Sequence, residues 1–309
     1  MRALQITEYG DNSVLTIAEV ALPAPVARQV LINVEAAALN PLDATLRAGY
    51  AQALMPLRFP ATLGGDVAGV VAGVGPDVTE FAVGDRVYGN AYTLLGGSGA
   101  IAEQALVQAD NLAPIPVGLD FVDAASMPVA GTTAVEAIDH SLKVQSGQRV
   151  FISGGSGAVG SAAVQLAKHL GAYVATTASG DGVDLARALG GDEVFDHASS
   201  DFSEHLSDFD AVLDGVGGAS LDKAYGILRR GGTLVSVSGE IDQAQADQRG
   251  LKVIRQGAQS DGVLRELTAY LADGVITPRV GRTYPLEEAV AAFAALENRS
   301  VRGKIVIVP

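Results

Sequence analysis

The chain has 309 residues, including 37 Gly and 12 Pro, and 48% of it is hydrophobic against 18% charged. This balance is typical of a globular protein of one large or two ordinary domains, and it excludes a disordered or fibrous chain. Lys and Arg number 21 against 35 Asp and Glu, a net charge of −14, and because so acidic a surface repels phosphate backbones and anionic lipid, we expect neither a nucleic-acid nor a membrane partner.

The chain contains no cysteine. Disulfides, thiolate metal sites and cysteine nucleophiles are therefore excluded, and any redox reaction needs a bound cofactor. No apolar stretch approaches the roughly 20 residues that span a bilayer, and Met1–Tyr9 lacks the apolar segment of a signal peptide. We expect a cytoplasmic protein.

The N-terminal part, from Met1 to about Pro116, has the pattern of a β-rich domain. Short Val-rich segments alternate with Gly or Pro, as in Leu31–Glu35, Asp66–Val74 and Arg86–Tyr88. Five glycines between residues 64 and 75 suit a barrel with tight corners.

Beyond about Asp120, Ala-rich helical stretches alternate with strands rich in Val and Ile. This alternation predicts a parallel sheet covered by helices on both faces. The four predicted strands are Arg149–Ser153, Ala172–Thr177, Asp210–Leu213 and Thr233–Val237. The end of the chain predicts a helix to Ala272, a strand Arg279–Tyr284, a helix Leu286–Leu296 and a terminal strand Lys304–Val308.

A glycine loop follows the first strand of this second part. Gly155, Gly157 and Gly160 form G-x-G-x-x-G directly after the strand, and a helical segment follows. The glycines allow a tight turn and close approach of backbone N–H groups to a pyrophosphate, and the helix N-terminus adds free donors. The sequence therefore predicts a dinucleotide site.

The choice of dinucleotide depends on the residue at the end of the second strand. Ser179 stands there, and its short hydroxyl leaves room for a 2′-phosphate, which favours NADPH. No Lys or Arg lies close to Ser179 in the sequence, and the nearest one is Arg187. NADH is the alternative, with Asp181 binding the ribose.

The whole chain resembles the medium-chain dehydrogenase/reductase superfamily, and within it the zinc-independent quinone oxidoreductases. The resemblance lies in the order and spacing of several stretches from end to end. Besides the glycine loop they are Asn40–Asp43, Gly64–Val71, Phe81–Tyr88, Ala125–Ala134, Ala163–Lys168, Leu213–Gly218 and Val301–Val306.

The resemblance implies an α/β fold of two domains. A Rossmann domain with a doubly wound parallel sheet would span 119–261, and a GroES-like β-barrel catalytic domain would combine 1–118 with 262–309. Relatives commonly form homodimers, and the segment Leu251–Arg255 would pair with its copy as an edge strand.

Zinc is not expected. The zinc branch of the superfamily has Gly-His-Glu where this chain has Gly64-Gly-Asp66, together with a cysteine ligand. The four histidines stand outside the N-terminal part and show no metal-binding spacing: His140, His169, His197 and His205. We expect zinc-free hydride transfer from NADPH to an electron-poor acceptor, a quinone or an activated carbon–carbon double bond.

The resemblance also assigns residues to the catalytic end of the cofactor. Asn40 would bind the ribose or carboxamide of the nicotinamide, Asp43 would fix its turn, and Thr133 would face the nicotinamide ribose. Thr45 stands where some relatives have a tyrosine, so Tyr50 is the remaining nearby phenol and the candidate proton donor.

Further cofactor contacts are implied along the second domain. The N–H groups of Ala158 and Val159 would bind the pyrophosphate. The segment Gly215–Gly217, which includes Val216, would lie near the adenosine, and Ser238 and Gly239 near the carboxamide. Relatives have a lysine for the 2′-phosphate where this chain has Gly180-Asp-Gly182.

The expected substrate pocket is an apolar cleft between the domains, since a planar neutral substrate needs apolar faces. Its candidate walls are Tyr50, Leu54, Met55, Tyr92, Leu94 and Leu95.

Two other functions stay open at this point. An enone or 2-alkenal reductase on the same fold would depend on a positioned proton donor, because the enolate carbon must be protonated. A non-catalytic NADPH-binding sensor would bind the cofactor without consuming it.

Overall fold

The structure is a computed structural model that describes residues 1–21, 24–257 and 262–309. The chain forms two compact units. The first unit comprises Met1–Val129 and Pro278–Pro309, and the second unit comprises Ala130–Thr277. Both boundaries lie further along the chain than the expected positions at 118/119 and 261/262, and residue 261 itself is outside the described residues.

The described residues form sixteen strands and nine α-helices. The strands are β1 (Arg2–Ile6), β2 (Thr16–Glu19), β3 (Gln29–Ala38), β4 (Ala61–Thr62), β5 (Asp66–Val74), β6 (Arg86–Asn90), β7 (Gln104–Gln108), β8 (Leu112–Pro114), β9 (Arg149–Ile152), β10 (Tyr173–Ala178), β11 (Glu193–Asp196), β12 (Phe209–Asp214), β13 (Leu228–Ser236), β14 (Lys252–Arg255), β15 (Val280–Pro285) and β16 (Lys304–Val308). The helices are α1 (Pro41–Ala48), α2 (Phe121–Ala125), α3 (Pro128–Val135), α4 (Ala158–His169), α5 (Gly182–Ala188), α6 (Gly218–Ile227), α7 (Gln243–Arg249), α8 (Val263–Ala272) and α9 (Ala289–Glu297).

The first unit is built on two sheets. One has the order β2-β1-β4, and the other has the order β15-β16-β3-β5-β6-β8, with β7 also paired to β3. Alternate residues of β3 point into an apolar core, which includes Ile32, Val67 and Val87. Helix α2 packs against β3 and β5 of this unit, which explains why the first unit extends beyond residue 118.

The second unit contains one six-stranded sheet of order β11-β10-β9-β12-β13-β14, in which every pair is parallel. The strand order reverses at β9, because β10 lies on one side of it and β12 on the other. This is the Rossmann-type, doubly wound arrangement expected from the sequence. Ligands bind such sheets at the carboxyl ends of the strands beside the reversal, which here are the ends of β9 and β12.

Helices connect the strands of this sheet and pack on them. Helix α4 contacts β9 and β10, α6 contacts β12 and β13, and a core of apolar side chains around Phe151 and Phe209 lies between sheet and helices. Strand β14 forms one edge of the sheet, as expected for the segment Leu251–Arg255. None of the helices in the described ranges is long and apolar enough to cross a membrane.

Candidate active site

The Asn40–Asp43 segment, expected to be a turn, is the start of helix α1. Pro41 is the first helical residue, a position where the N–H has no acceptor within the helix in any case. The Asp43 carboxylate turns back and accepts a hydrogen bond from the Asn40 backbone N–H at 2.7 Å. Asp43 therefore fixes the helix start, and with it the backbone that carries the Asn40 side chain.

Strand pairing brings Asn40 beside a buried ion pair. Strand β16 runs antiparallel to β3 with Val306 opposite Ala38, a register that brings Lys304 opposite Asn40. Strand β5 flanks β3 on its other side and contributes Asp66. Lys304 Nζ lies 3.0 Å from Asp66 Oδ2 and 2.6 Å from Asn40 Oδ1. Lys304 is only 5% exposed, Asn40 4% and Asp66 0%.

The Asp66 carboxylate accepts from two further donors. Asn40 Nδ2 donates to Oδ2 at 3.0 Å, and the Val129 backbone N–H donates to Oδ1 at 3.0 Å. Val129 lies in the first turn of α3, where a negative charge interacts favourably with the helix dipole. Lys304 supplies the positive charge that a buried carboxylate needs.

A second buried carboxyl group, Asp43, lies next to the Tyr92 hydroxyl. Burial raises the pKa of Asp43 to about 7, and the charge of Asp66 adds to this, whereas the Asn40 N–H and the Lys304 charge oppose it. Burial is the main cause that raises the pKa of Tyr92 well above its ordinary value, and the charges of Asp43 and Asp66 raise it further. Asp43 Oδ1 and Tyr92 OH are buried without a well-aligned hydrogen-bond partner among the described residues.

The glycine loop lies at the carboxyl end of β9, as the sequence predicts. A Cβ atom at Gly155 would lie 2.2 Å from Thr176 Oγ1, and one at Gly160 would lie 2.1 Å from the Gly154 carbonyl oxygen. Only glycine fits at these two positions. Helix α4 begins at Ala158 after Gly157, which provides no side-chain cap.

The first N–H groups of α4 are the donors that this loop offers. Those of Ala158, Val159 and Gly160 belong to the first turn, where a helix has no acceptor of its own for them. Free N–H groups and the positive end of the helix dipole favour an anion. The loop therefore fits a pyrophosphate, because Gly155, Gly157 and Gly160 carry no side chain that would block the backbone N–H groups.

Asp214, the last residue of β12, organises the neighbouring strand ends. Its buried carboxylate accepts from the hydroxyls of Ser153 at 3.0 Å and Ser236 at 2.8 Å. It also accepts from the backbone N–H groups of Val216 at 3.2 Å and Gly217 at 3.0 Å. One carboxylate thus ties together the residues that end β9, β12 and β13.

The segment after β13 is held by the same network. Ser236 Oγ accepts from the Gly239 backbone N–H at 2.8 Å, and Ser238 Oγ donates to the Gly215 carbonyl oxygen at 2.9 Å. Ser238 and Gly239 are therefore fixed next to the segment that contains Val216, whose side chain is exposed. All three residues lie at the carboxyl edge of the parallel sheet.

Three other expected cofactor residues, Ser179, Asp181 and Thr133, lie in the second unit. Ser179 directly follows β10, and Asp181 stands at the start of α5 on an exposed turn. The Thr133 carbonyl oxygen accepts from Gln256 Nε2 at 3.0 Å. Gln256 Oε1 is buried and has no hydrogen-bond partner among the described residues.

The expected pocket residues differ widely in their burial. Tyr50 and Leu54 are each 88% exposed and Leu94 is exposed, whereas Met55 is half-buried and Tyr92 is buried. Tyr50 borders a surface cavity of about 390 Å³ in the first unit. Its other lining residues are Gly10, Asp11, Ala44, Thr45, Arg47, Ala48 and Glu297. Within this unit, Tyr50 and Leu54 face solvent rather than a closed apolar wall.

Two family descriptions match the chain. The alcohol dehydrogenase GroES-like domain matches residues 26–117, and the zinc-binding dehydrogenase family matches residues 189–307. The 2-methylene-furan-3-one reductase of Solanum lycopersicum is 36% identical, over 100% of this chain and 79% of that protein. The quinone oxidoreductase of Mus musculus is 31% identical, over 99% of this chain and 97% of that protein.

The chain belongs to the medium-chain dehydrogenase/reductase superfamily. It is an oxidoreductase of the quinone oxidoreductase type, as the sequence resemblance implies. A solved NAD-dependent alcohol dehydrogenase matches it with a TM-score of 0.92 and 30% identity over 100% of both chains. The Escherichia coli quinone oxidoreductase complexed with NADPH matches with a TM-score of 0.90 and 25% identity over 100% of both chains.

In this chain, the residues at the position of the zinc site of the zinc branch do not fit a zinc ion. A Cβ atom at Gly65 would lie 2.2 Å from the Tyr92 ring, so the ring takes the space that a histidine side chain needs. The chain has no cysteine, and the described residues contain no group of three His, Asp or Glu side chains suited to a metal. Zinc-independence stays a prediction, which metal analysis of the purified protein tests.

Sequence reasoning did not identify Asp66, Lys304 or Asp214 as site residues, although all three lie in stretches that carry the family resemblance. Lys304 opens a strand that continues Ile-Val-Ile-Val, and Asp66 opens a strand of Val, Ala and Gly. A single charge in such an apolar strand requires a partner. A single charged residue at the start of an apolar strand is therefore the sequence pattern that indicates a buried ion pair.

Proposed function

We propose that the protein transfers a hydride from NADPH to a quinone. The glycine loop carries the cofactor part of this proposal, because its geometry fits a pyrophosphate and it lies at the reversal of a parallel sheet. The quinone part is supported by the 31% identity to the Mus musculus quinone oxidoreductase. NADPH supplies the hydride when bound. The balanced reaction takes NADPH, one proton and the quinone to NADP⁺ and the hydroquinone.

The preference for NADPH is supported at the end of β10. Ser179 follows this strand directly, and a serine leaves space for a 2′-phosphate and can hydrogen bond to it. The Escherichia coli neighbour is described with NADPH. NADH is the competing cofactor, with Asp181 as its ribose contact, and one close structural neighbour is described as NAD-dependent.

We assign separate roles to the residues around the cofactor. The N–H groups of Ala158 and Val159 bind the pyrophosphate, and Val216 lies near the adenosine. Asn40, Thr133, Ser238 and Gly239 orient the nicotinamide end. Orientation of the cofactor and exclusion of water are the contributions that this chain makes to hydride transfer.

An enone reductase is the second candidate, supported by the 36% identity to an enzyme whose name describes a conjugated methylene ketone as its substrate. This reaction places the hydride on one carbon and needs a proton on the neighbouring carbon. The Tyr50 hydroxyl is the exposed phenol next to helix α1, and we propose it as the donor in that case.

The deciding experiment follows the absorbance of NADPH or NADH with purified protein and a panel of quinones and enones. Faster NADPH consumption with a quinone supports the first proposal, and faster consumption with an enone supports the second. A Tyr50→Phe variant that loses only enone reduction supports Tyr50 as the donor. Faster consumption of NADH than of NADPH supports Asp181 as the ribose contact. Tight binding of the cofactor without its consumption indicates a sensor.

Two glycine variants test the cofactor loop itself. Gly160→Ala places a methyl group against a backbone oxygen, whereas a Cβ at Gly226 in α6 meets nothing within 4 Å. We expect Gly160→Ala to abolish NADPH binding and Gly226→Ala to leave it unchanged. If both variants bind NADPH equally well, the glycine loop is not part of the cofactor site.

We also propose a homodimer in which the edge strand β14 pairs with its copy. Light scattering of the purified protein measures its mass. A monomer at micromolar concentration contradicts this proposal without affecting the cofactor assignment.

A further inference from the structure

We propose that Lys304 is a positioning residue that sets the orientation of the Asn40 side-chain amide. The proposal rests on the proposed function, since it takes Asn40 to contact the nicotinamide end of the cofactor. Lys304 itself is not a group that touches the reacting atoms. It acts through Asn40, and its partner Asp66 completes the arrangement.

The chemistry of the three groups decides which way the Asn40 amide points. An amide has one end that only accepts hydrogen bonds and one end that only donates them, although the two ends have nearly the same shape. The Lys304 ammonium only donates, and the ionised Asp66 carboxylate only accepts. Asn40 Oδ1 must therefore face Lys304, and Asn40 Nδ2 must face Asp66.

The observed distances agree with this assignment. Lys304 Nζ donates to Asn40 Oδ1 at 2.6 Å, and Asn40 Nδ2 donates to Asp66 Oδ2 at 3.0 Å. A rotation of the amide by half a turn would place an NH₂ group against the ammonium and an oxygen against the carboxylate. Both contacts would then be repulsive between side chains that are at most 5% exposed.

A fixed amide presents a fixed pattern to a ligand. Nδ2 has a second N–H beyond the one used by Asp66, and Oδ1 also faces the Asp43 backbone N–H in the capping box of α1. A nicotinamide carboxamide or a ribose hydroxyl that meets this pattern finds its partner in one orientation. A freely rotating amide would accept two orientations, and hydride transfer tolerates only small errors of position.

The energetics make a structural role alone a poor explanation. Burying an ion pair gains little over an apolar pair of the same size, because both charges lose their hydration. Lys304 and Asp66 are nevertheless both buried, and each opens a strand, β16 or β5, whose other residues are Val, Ile, Ala and Gly. Orientation of Asn40 is a gain that an apolar pair at these two positions would not give.

The test compares three lysine variants. Lys304→Met keeps the length of the side chain and removes its charge, and Lys304→Arg keeps the charge. Lys223→Met is the matched control, because Lys223 also pairs with an aspartate, Asp201 at 2.6 Å, but on the surface. If Lys304→Met does not fold, the double variant Asp66→Asn/Lys304→Met replaces it, since both charges are then absent.

Each variant is titrated by calorimetry with NADPH and with adenosine 2′,5′-bisphosphate, which lacks the nicotinamide half. We expect Lys304→Met to bind NADPH about 10-fold more weakly, to bind the bisphosphate within about 2-fold of the wild type, and to lose about 10- to 100-fold in kcat. Lys304→Arg restores part of each loss, and Lys223→Met matches the wild type.

Equal weakening of both ligands overturns the proposal, because it indicates a general structural effect. Unchanged NADPH binding and turnover in Lys304→Met overturns it as well. A wild type that binds NADPH but reduces no acceptor contradicts the proposed function only, since the comparison of the two ligands still decides the role of Lys304.

A measurement without any ligand separates the two proposals further. The Asn40 side-chain amide protons are followed by NMR hydrogen exchange, with the exposed Asn298 as internal reference. We expect protection of Asn40 in the wild type and its loss in Lys304→Met. Exchange at Asn40 as fast as at Asn298 in the wild type overturns the fixed amide even if NADPH binds.

Discussion

Each of the two units buries a carboxylate at its candidate site, but the two carboxylates are stabilised differently. Asp66 in the first unit has an opposite charge beside it, Lys304, together with the Asn40 amide and one backbone N–H. Asp214 in the second unit accepts only from neutral groups, two serine hydroxyls and two backbone N–H groups. Asp66 has one charged partner, Lys304, and two neutral donors, whereas Asp214 has four neutral donors and no charged partner among the hydrogen bonds described.

This difference predicts different responses to substitution. Removing the one charged partner of a buried carboxylate leaves an uncompensated charge, which is among the most costly changes in a protein interior. Removing one of four neutral donors leaves three in place, so the cost stays near that of a single hydrogen bond. The charged cluster is therefore the more fragile of the two.

The largest effect is expected for Lys304→Met. Unfolding in urea should show a loss of about 3–5 kcal/mol, because Asp66 is left buried without a counter-charge. The double variant Asp66→Asn/Lys304→Met should recover part of this loss, since no charge then remains unpaired. A double variant less stable than Lys304→Met would show that the pair is not coupled in this way.

The next largest effect is expected for Asp43, whose ionisation makes the free energy of unfolding depend on pH. Its pKa of about 7 in the folded protein lies above the ordinary 3.8, so the folded state binds the extra proton between these values. Stability from Asp43 is therefore present at low pH and is lost as pH rises to about 7. Relative to Asp43→Asn, the wild type should lose up to about 4 kcal/mol between pH 4 and pH 7.

Urea unfolding of both proteins at several pH values measures this difference. Curves that stay parallel from pH 4 to pH 7 would contradict the raised pKa. This measurement adds a third buried carboxyl group to the comparison of Asp66 with Asp214. In the described part of the chain, Asp43 has neither an ammonium group as its own partner nor a full set of hydrogen-bond donors.

A smaller loss is expected for Asp214→Asn. The amide keeps one acceptor but turns an NH₂ group toward donors, and we expect a loss of about 2–3 kcal/mol, in the range for hydrogen bonds to charged groups. NADPH binding should weaken as well, since Val216 and Gly217 lose their anchor. Asp184→Asn, at an exposed aspartate, is the control for both measurements.

The smallest effect is expected for Ser236→Ala. One of four donors to Asp214 is removed, and we expect a loss of about 1 kcal/mol in urea unfolding. A loss as large as that of Lys304→Met would contradict the division of the task among neutral donors. The two carboxylates would then be equally dependent on single partners.

Much of this architecture follows from the sequence, because it depends on local patterns. The glycine loop, the strand before it and the helix after it are contiguous, and Ser179 directly follows β10. The parallel sheet follows from alternating strands and helices. Helix α1 was missed, although Asn40, Pro41 and Asp43 have the residue types of a helix start.

The buried ion pair could not be derived in the same way. Asp66 and Lys304 are 238 residues apart, and only the register of β3 with β5 and β16 brings them together. The Asp214 network likewise joins the ends of three strands. Single charges inside apolar strands indicate that a partner exists, but the register of the sheet decides which residue it is.

The most direct test of the account measures two variants against two ligands. Calorimetry of Lys304→Met and Asp214→Asn with NADPH and with adenosine 2′,5′-bisphosphate separates the two ends of the cofactor. We expect Lys304→Met to weaken the binding of NADPH alone, and Asp214→Asn to weaken the binding of both ligands. If both variants weaken both ligands by the same factor, the assignment of the charged cluster to the nicotinamide end is wrong.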